Sequence, residues 1–181
     1  MVISLIDIQR RRSADESVKA ALTEVLSRVE SFSRANTHLY HDPTNVSTVQ
    51  MKDYLGELCD ALSEALTLRG AITLNCASDQ ALVDRDRAVS IGLLINELVT
   101  NAAKHAFEGR ETGAVNISFR RSEGGWTLCV EDDGVGMQAS RPSGEGGLGK
   151  RLVDAFVRQA NGTLSTESSA AGTRVIVELK D

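Results

Sequence analysis

The chain has 181 residues, 41% hydrophobic and 25% charged, with a formal net charge of −5. That length holds one ordinary domain plus a short helical appendage, with enough apolar residues to bury a core. No apolar run approaches the roughly 20 residues of a membrane span, no signal-peptide pattern opens the chain, and the acidic balance argues against general nucleic-acid binding, which needs clustered Lys and Arg.

The first forty residues contain neither glycine nor proline. Met1–Arg12 reads as the end of one helix, and Ser13 and Asp15 can supply an N-cap oxygen for the next. From Val18 the seam runs through Leu22, Val25, Val29, Phe32, Asn36 and Leu39, in alternating steps of four and three. That heptad spacing favours a helical hairpin or bundle over a helix lying on a sheet. Asn36 either fixes the register of an oligomer or sits at a wetter helix end. Asp42-Pro43-Thr44-Asn45 forms a break, so residues 1–43 are expected to be a hairpin and 44–181 a separate α/β unit.

Beyond the break, Lys52–Leu66 carries Leu55, Leu58, Leu62 and Leu66 at helical spacing. Ile72–Ala77 alternates as a strand, and Asp84 can cap a long helix reaching about Phe107. Ala114–Arg121 and Trp126–Glu131 alternate around the turn Ser122-Glu123-Gly124-Gly125, which predicts a hairpin. A helix over Leu148–Ala160 follows, then strands at Thr163–Ser168 and Thr173–Leu179 joined by a turn containing Gly172. The expected fold class is α+β, a mixed sheet with helices on one face. Cys59, Cys76 and Cys129 share no metal or redox spacing and read as buried apolar residues in a reducing, cytoplasmic setting.

Six of the fifteen glycines lie between Gly134 and Gly149. Such density marks a backbone that turns tightly or approaches a ligand, or else a flexible surface loop. Gly144, Gly149 and Lys150 match P-loop spacing, and Gly144, Gly146 and Gly149, with Glu167 downstream, match a dinucleotide fingerprint. Both motifs need a buried strand leading into the glycines. Here Gln138–Ser143 is polar and contains Pro142, and Arg151 stands where a P-loop needs Ser or Thr. Both readings are set aside. What remains is a glycine-rich turn feeding a helix N-terminus near Leu148, whose N–H groups and dipole suit phosphates.

A second glycine pair ends a strand at Glu131-Asp132-Asp133-Gly134-Val135-Gly136. A carboxylate there can accept a hydrogen bond from an amino group such as that of adenine, while the glycines let the backbone pass under a ring. The same run could also be an acidic turn. The long helix is more informative. Glu97, Asn101, Lys104, His105 and Glu108 fall within an arc of about 100°, and Ile91, Ile95, Leu98, Ala102 and Ala106 form the opposing apolar stripe. A solvated face would be polar too, but it has little use for a mid-helix Asn, a poor helix former. The Asn101 amide can join phosphate oxygens around Mg²⁺, Lys104 can balance charge, and Glu97 can act as a base or orient a nucleophile. His105 suits either phosphate contact or support of its neighbours.

Together, Asn96-Glu97-Leu98-Val99-Thr100-Asn101-Ala102-Ala103-Lys104-His105-Ala106-Phe107, Asp132-Asp133-Gly134-Val135-Gly136, Gly147-Leu148-Gly149 and Gly172-Thr173 resemble the GHKL ATP-binding fold. Their order is most similar to bacterial sensor histidine kinases near the HWE subfamily, over roughly Lys52 to Asp181. Residues 1–40 resemble, more loosely, the dimerisation and phosphotransfer helices of that subfamily.

The resemblance implies that Glu97 assists phosphotransfer and Asn101 ligates Mg²⁺, with Lys104 and His105 near the phosphates. It implies that Asp132 reads adenine, that Gly134 and Gly136 line its pocket, and that Thr173 supports Asp132. Gly147, Leu148 and Gly149 would shape the phosphate loop. The implied cofactors are ATP and Mg²⁺, and the implied partners are a response-regulator receiver domain and a second copy of the chain, paired through residues 1–40. The segment from about Met137 to Gly146 is short for an ATP lid, as it is in that subfamily, and Asp133 stands where many relatives have Asn.

In that family the first helix carries the phosphate-accepting histidine. Aligning Ile3–Gln9 with the end of that helix places the acceptor upstream of Met1. His38 and His41 fall at the far end of the second helix, and His105 belongs to the nucleotide site. Two other readings share these boxes: a nucleotide-binding adaptor that docks a response regulator without self-phosphorylation, and a serine kinase resembling anti-sigma factors. The heptad seam favours the histidine kinase and the adaptor over the serine kinase.

Overall fold

Val115, Ile117 and Phe119 alternate with more exposed neighbours along one strand, and Leu128 and Val130 occupy alternate positions in the next. All five are buried, so both strands turn one face to a core. They belong to a five-stranded sheet in the computed structural model, which describes residues 2–13, 15, 16, 18, 19, 22, 23, 26, 47–67, 71–110, 112–137 and 148–181. The heptad seam from Val25 onward, with Asn36, the expected break at Asp42–Asn45, and the stretch 138–147 with Gly147 lie outside the described residues.

Helix α1 spans Val2–Arg12 and ends on Arg10, Arg11 and Arg12, cations that suit the negative end of the helix dipole. Asp7 pairs with Arg10 at 2.7 Å and Arg11 at 2.9 Å. The Asp15 carbonyl then accepts the Lys19 N–H at 3.0 Å, and Glu16, Val18 and Lys19 are helical, as expected for a second helix starting there.

Helix α2 (Met51–Thr67) buries Leu55, Leu58, Leu62 and Leu66 on one stripe. Each fully buried leucine contributes about 1.5–3 kcal/mol. Helix α3 (Arg85–His105) starts at Asp84, whose carboxylate accepts the Asp86 N–H at 3.0 Å and the Arg87 N–H at 3.4 Å. Its stripe Ile91, Ile95, Leu98, Ala102 and Ala106 is buried as expected. Ser90 and Asn96 are buried as well, because α3 runs between the sheet and the helices beside it.

Two strands escaped the sequence. β1 (Thr48–Gln50) and β3 (Leu82–Asp84) pair antiparallel, Val49 opposite Val83. Three residues are too few to show a period of two. The pair clips the start of α2 to that of α3: Met51 N–H donates to Ala81 O at 2.8 Å, and Arg85 N–H to Ser47 O at 2.9 Å.

The main sheet contains β2 (Ala71–Ser78), β4 (Thr112–Ser122), β5 (Gly125–Asp132), β6 (Gly162–Ser169) and β7 (Gly172–Lys180), in the order β2-β4-β5-β7-β6. β2 runs parallel to β4, and the other neighbours are antiparallel. Helix α4 (Leu148–Gln159) packs beside α3. Asn75, Asn116, Glu131, Arg174 and Glu167 lie in register across all five strands and are all exposed, so the face away from the helices is polar. This is the α+β arrangement with helices on one face that the pattern predicted.

The cysteines correct one expectation. Cys59 and Cys129 are buried, whereas Cys76 is exposed, because β2 is an edge strand. All three are free thiols.

Candidate nucleotide site

The polar stripe of α3 is not a uniformly solvated face. Glu97 is only 3% exposed, Asn101 and Lys104 are half-buried, and His105 and Glu108 are exposed. The stripe thus passes from interior to solvent over three turns. His105 Nδ1, on the last residue of α3, stands 4.0 Å from Oε1 of Glu108 in the turn that follows.

Asp132 ends β5 opposite Thr173 near the start of β7. Its Oδ1 accepts the Gly134 N–H at 3.0 Å and the Thr173 N–H at 3.3 Å. Both bonds use the same oxygen, and among the described residues no hydrogen bond reaches Oδ2. Burial raises the Asp132 pKa above the ordinary carboxylate range. The two backbone N–H donors pull it down, and the nearby charges of Asp133 and Glu131 push it up. A cleft of about 330 Å³ at the β6–β7 hairpin is lined by Asp132, Ser168, Gly172 and Thr173 together with Glu131, Glu167 and Arg174 of the sheet face away from the helices, among others.

The glycines after Asp132 allow close packing. Val135 N–H donates to Ala106 O at 2.9 Å, and a Cβ on Gly134 would overlap that carbonyl. Gly136 has φ of 71°, and a Cβ there would overlap the Ser169 carbonyl. The run Gly134–Met137 is therefore pressed between the end of α3 and the β6–β7 hairpin. Through it, the structure joins the Asp132, Gly134, Gly136 and Thr173 group to the helix carrying Glu97, Asn101, Lys104 and His105.

Asp133 serves the sheet. Its Oδ1 accepts the Ala114 N–H at 2.8 Å, its own N–H donates to Ala114 O at 3.2 Å, and Arg110 approaches Oδ2 at 3.6 Å. Leu148 opens α4 as expected, with Gly149 half-buried in its first turn, while Gly147 lies outside the described residues.

One residue of this group carries no motif. Ser168 Oγ accepts the Met137 N–H at 2.6 Å and lies 3.2 Å from Thr173 Oγ1. The signal that could have found it is the register of the β6–β7 hairpin. A turn at Ala170-Ala171 closed by Ser169 and Gly172 puts Ser168 opposite Thr173.

Residues 86–181 match the family model described as histidine kinase-, DNA gyrase B-, and HSP90-like ATPase, and residues 1–66 match one described as histidine kinase. Blue-light-activated histidine kinase 2 of Erythrobacter litoralis is 30% identical over 99% of this chain and 52% of its own length. Sensor histidine kinase PdtaS of Mycolicibacterium smegmatis is 31% identical over 75% of this chain and 27% of its own length. The chain thus spans about half or less of these curated relatives. An anti-sigma F factor of Clostridium novyi is 34% identical over 48% of this chain and 66% of its own length. Among solved structures, the histidine kinase domain from the Erythrobacter litoralis EL346 blue-light-activated histidine kinase superposes with a TM-score of 0.75 at 27% identity, covering 98% of this chain and 93% of that one.

Proposed function

Because the chain belongs to the histidine kinase-, DNA gyrase B-, and HSP90-like ATPase family, we propose that it is the ATP-binding catalytic region of a two-component sensor histidine kinase, acting in the cytoplasm. The γ-phosphoryl of ATP goes to a histidine nitrogen and then to an aspartate of a response-regulator receiver domain. The observation that carries this reading is the half-buried Asp132, with Oδ1 held by the Gly134 and Thr173 amides and no hydrogen bond reaching Oδ2 among the described residues.

In this reading Asp132 accepts the adenine amino group, Thr173 supports it, and Gly134 and Gly136 give the ring a flat backbone surface. Asn101, Lys104 and His105 face the phosphates, as do Gly147, Leu148 and Gly149, the last two opening α4. Glu97, one turn before Asn101 on the same face, orients the attacking imidazole or takes its proton. Phosphoryl transfer asks a protein mainly for positioning and charge stabilisation, which such a stripe can supply.

The Asn101 amide oxygen fits one coordination position of Mg²⁺, a hard cation that prefers oxygen. In this reading the ion would be shared between the Asn101 amide oxygen and the nucleotide phosphates. When bound, it neutralises charge on the phosphates. Residues 1–43 form the dimerising hairpin and 44–181 the catalytic unit; the match of residues 1–66 to a histidine kinase family supports the former.

A second reading, a serine kinase, is favoured by the anti-sigma F similarity, which covers only 48% of the chain. One experiment separates the two. The chain is incubated with γ-labelled ATP and Mg²⁺, with and without a histidine-bearing acceptor helix. Acid-labile, base-stable label on the helix supports histidine transfer, and base-labile label on serine supports the alternative. Tight nucleotide binding without transfer to any acceptor would leave a nucleotide-binding adaptor. Glu97→Gln should abolish transfer and leave ATP affinity within about twofold.

A further inference from the structure

Cys59 lies on the buried stripe of α2 between Leu55 and Leu62 and is 6% exposed. Facing it, Ile72, Leu74 and Cys76 take alternate positions along β2, which puts all three on the helix side of the sheet. Ile72 and Leu74 pack against the core there. Asn75, pointing the other way, donates to Asn116 Oδ1 at 2.9 Å on the polar face. Because β2 is an edge strand, Cys76 is exposed even though it faces α2.

The two thiols meet at that edge. Cys76 Sγ lies 3.8 Å from Leu55 O, the carbonyl that accepts the N–H of residue 59 in a regular α-helix. The Cys76 sulfur therefore stands beside the turn carrying Cys59, and the two thiols share a hydrogen bond. Both are reduced. The third thiol stands apart. Cys129 is buried in β5, a central strand, with Arg174 Nε 3.3 Å from its sulfur on the polar face.

This arrangement divides the work of thiol oxidation. Solvent brings an oxidant to Cys76, whereas Cys59 is shielded from solvent and from other molecules. A sulfenic acid formed on Cys76 is open to condensation with a neighbouring thiol, and Cys59 is the thiol already in contact with it.

We propose that Cys76 and Cys59 form a peroxide-oxidisable site that closes a reversible disulfide between α2 and the edge strand β2. The Cys76 sulfur attacks one peroxide oxygen, the O–O bond breaks, and the other oxygen leaves with the Cys76 proton as water. The Cys59 sulfur then attacks the Cys76 sulfur. An S–S bond forms, the S–O bond breaks, and the hydroxyl leaves with the Cys59 proton as a second water. The two thiols give up two electrons and the peroxide takes them. A dithiol reductant restores both cysteines by exchange.

The test treats the reduced full chain with hydrogen peroxide at neutral pH, blocks the remaining thiols with iodoacetamide, and reads intact and peptide masses. The wild-type chain should lose the mass of two hydrogens, yield a peptide joining Cys59 to Cys76, and regain both hydrogens with dithiothreitol. Cys129→Ser should behave the same way. Cys76→Ser should form no internal disulfide, and Cys59 should stay reduced. Cys59→Ala, its fold checked by circular dichroism, should trap the sulfenic acid, so that dimedone labels Cys76 several-fold more than in the wild type. Four results would each overturn the inference: a wild-type chain unchanged by peroxide, Cys76 carrying added oxygen with Cys59 still a free thiol, a disulfide to Cys129, or a disulfide only between two chains on a non-reducing gel. None of these readouts depends on nucleotide binding.

Discussion

The Gly134 backbone lies against the Ala106 carbonyl that ends α3, and the same carbonyl accepts the Val135 N–H at 2.9 Å. A side chain at position 134 would push the Asp132–Met137 run off the helix. Gly134→Ala should therefore destabilise the fold by about 1–3 kcal/mol, the usual cost of overpacking, and weaken ATP binding at least tenfold. Gly124→Ala is the control, since nothing lies within 4 Å of a Cβ there. Thermal melts and calorimetry on the two variants check the contrast.

Asp132→Asn separates affinity from stability. Asn can still accept the Gly134 and Thr173 amides through its carbonyl oxygen, and it removes a charge that burial disfavours. A carboxyl whose folded pKa is raised favours the folded state when protonated, and that contribution is lost as pH rises through the folded pKa. The variant should thus melt higher than wild type at neutral pH, and the gap should close as pH falls through the raised pKa. ATP affinity at neutral pH should fall at least tenfold. A lower melting point for the variant at neutral pH would contradict burial as the main cause of the shift.

Removing the metal should mimic a loss at Asn101. Chelating Mg²⁺ is expected to weaken ATP binding by the wild-type chain, and Asn101→Ala should bind ATP with about the same affinity in either condition. Adenosine, which has no phosphates, should bind both chains equally. Mg²⁺ titrated alone should give no heat of binding.

The thiols make a prediction independent of nucleotide. A hydrogen bond with Cys59 holds Cys76 below the ordinary thiol range, while the same bond and burial push Cys59 far above it. Thiolate is the reactive form. Iodoacetamide at neutral pH should therefore modify the exposed Cys76 first, with Cys59 modified only after unfolding, as read by peptide mass spectrometry. In Cys76→Ser, labelling of the folded chain should drop to the slow rate of the buried thiols.

Most of the main sheet, and all the helices placed among the described residues, were legible in the sequence because their signals are local. Leucines four and three apart, an Asp at a helix start and a hairpin turn over Ser122–Gly125 each act within a few residues of chain. The pair β1–β3 was invisible, since three-residue strands have no period and exist only because α2 and α3 start side by side. Cys76 was misjudged because residue type does not reveal an edge strand.

The amino-acid order alone determined the α+β class, the buried stripe of α3 and the residue types on its polar face. Those follow from helical and strand periodicity, which sterics impose on any chain. Only the tertiary structure decided that Glu97 is buried while His105 is exposed, that Asp133 serves the sheet while Asp132 faces the cleft, and that Ser168 reaches Met137. Each depends on which segments meet across the fold: Met137 and Ser168 are 31 residues apart in sequence but share a hydrogen bond. The close approach of Gly134 to Ala106 and of Met137 to Ser168 brings such groups together, and no local pattern encodes either.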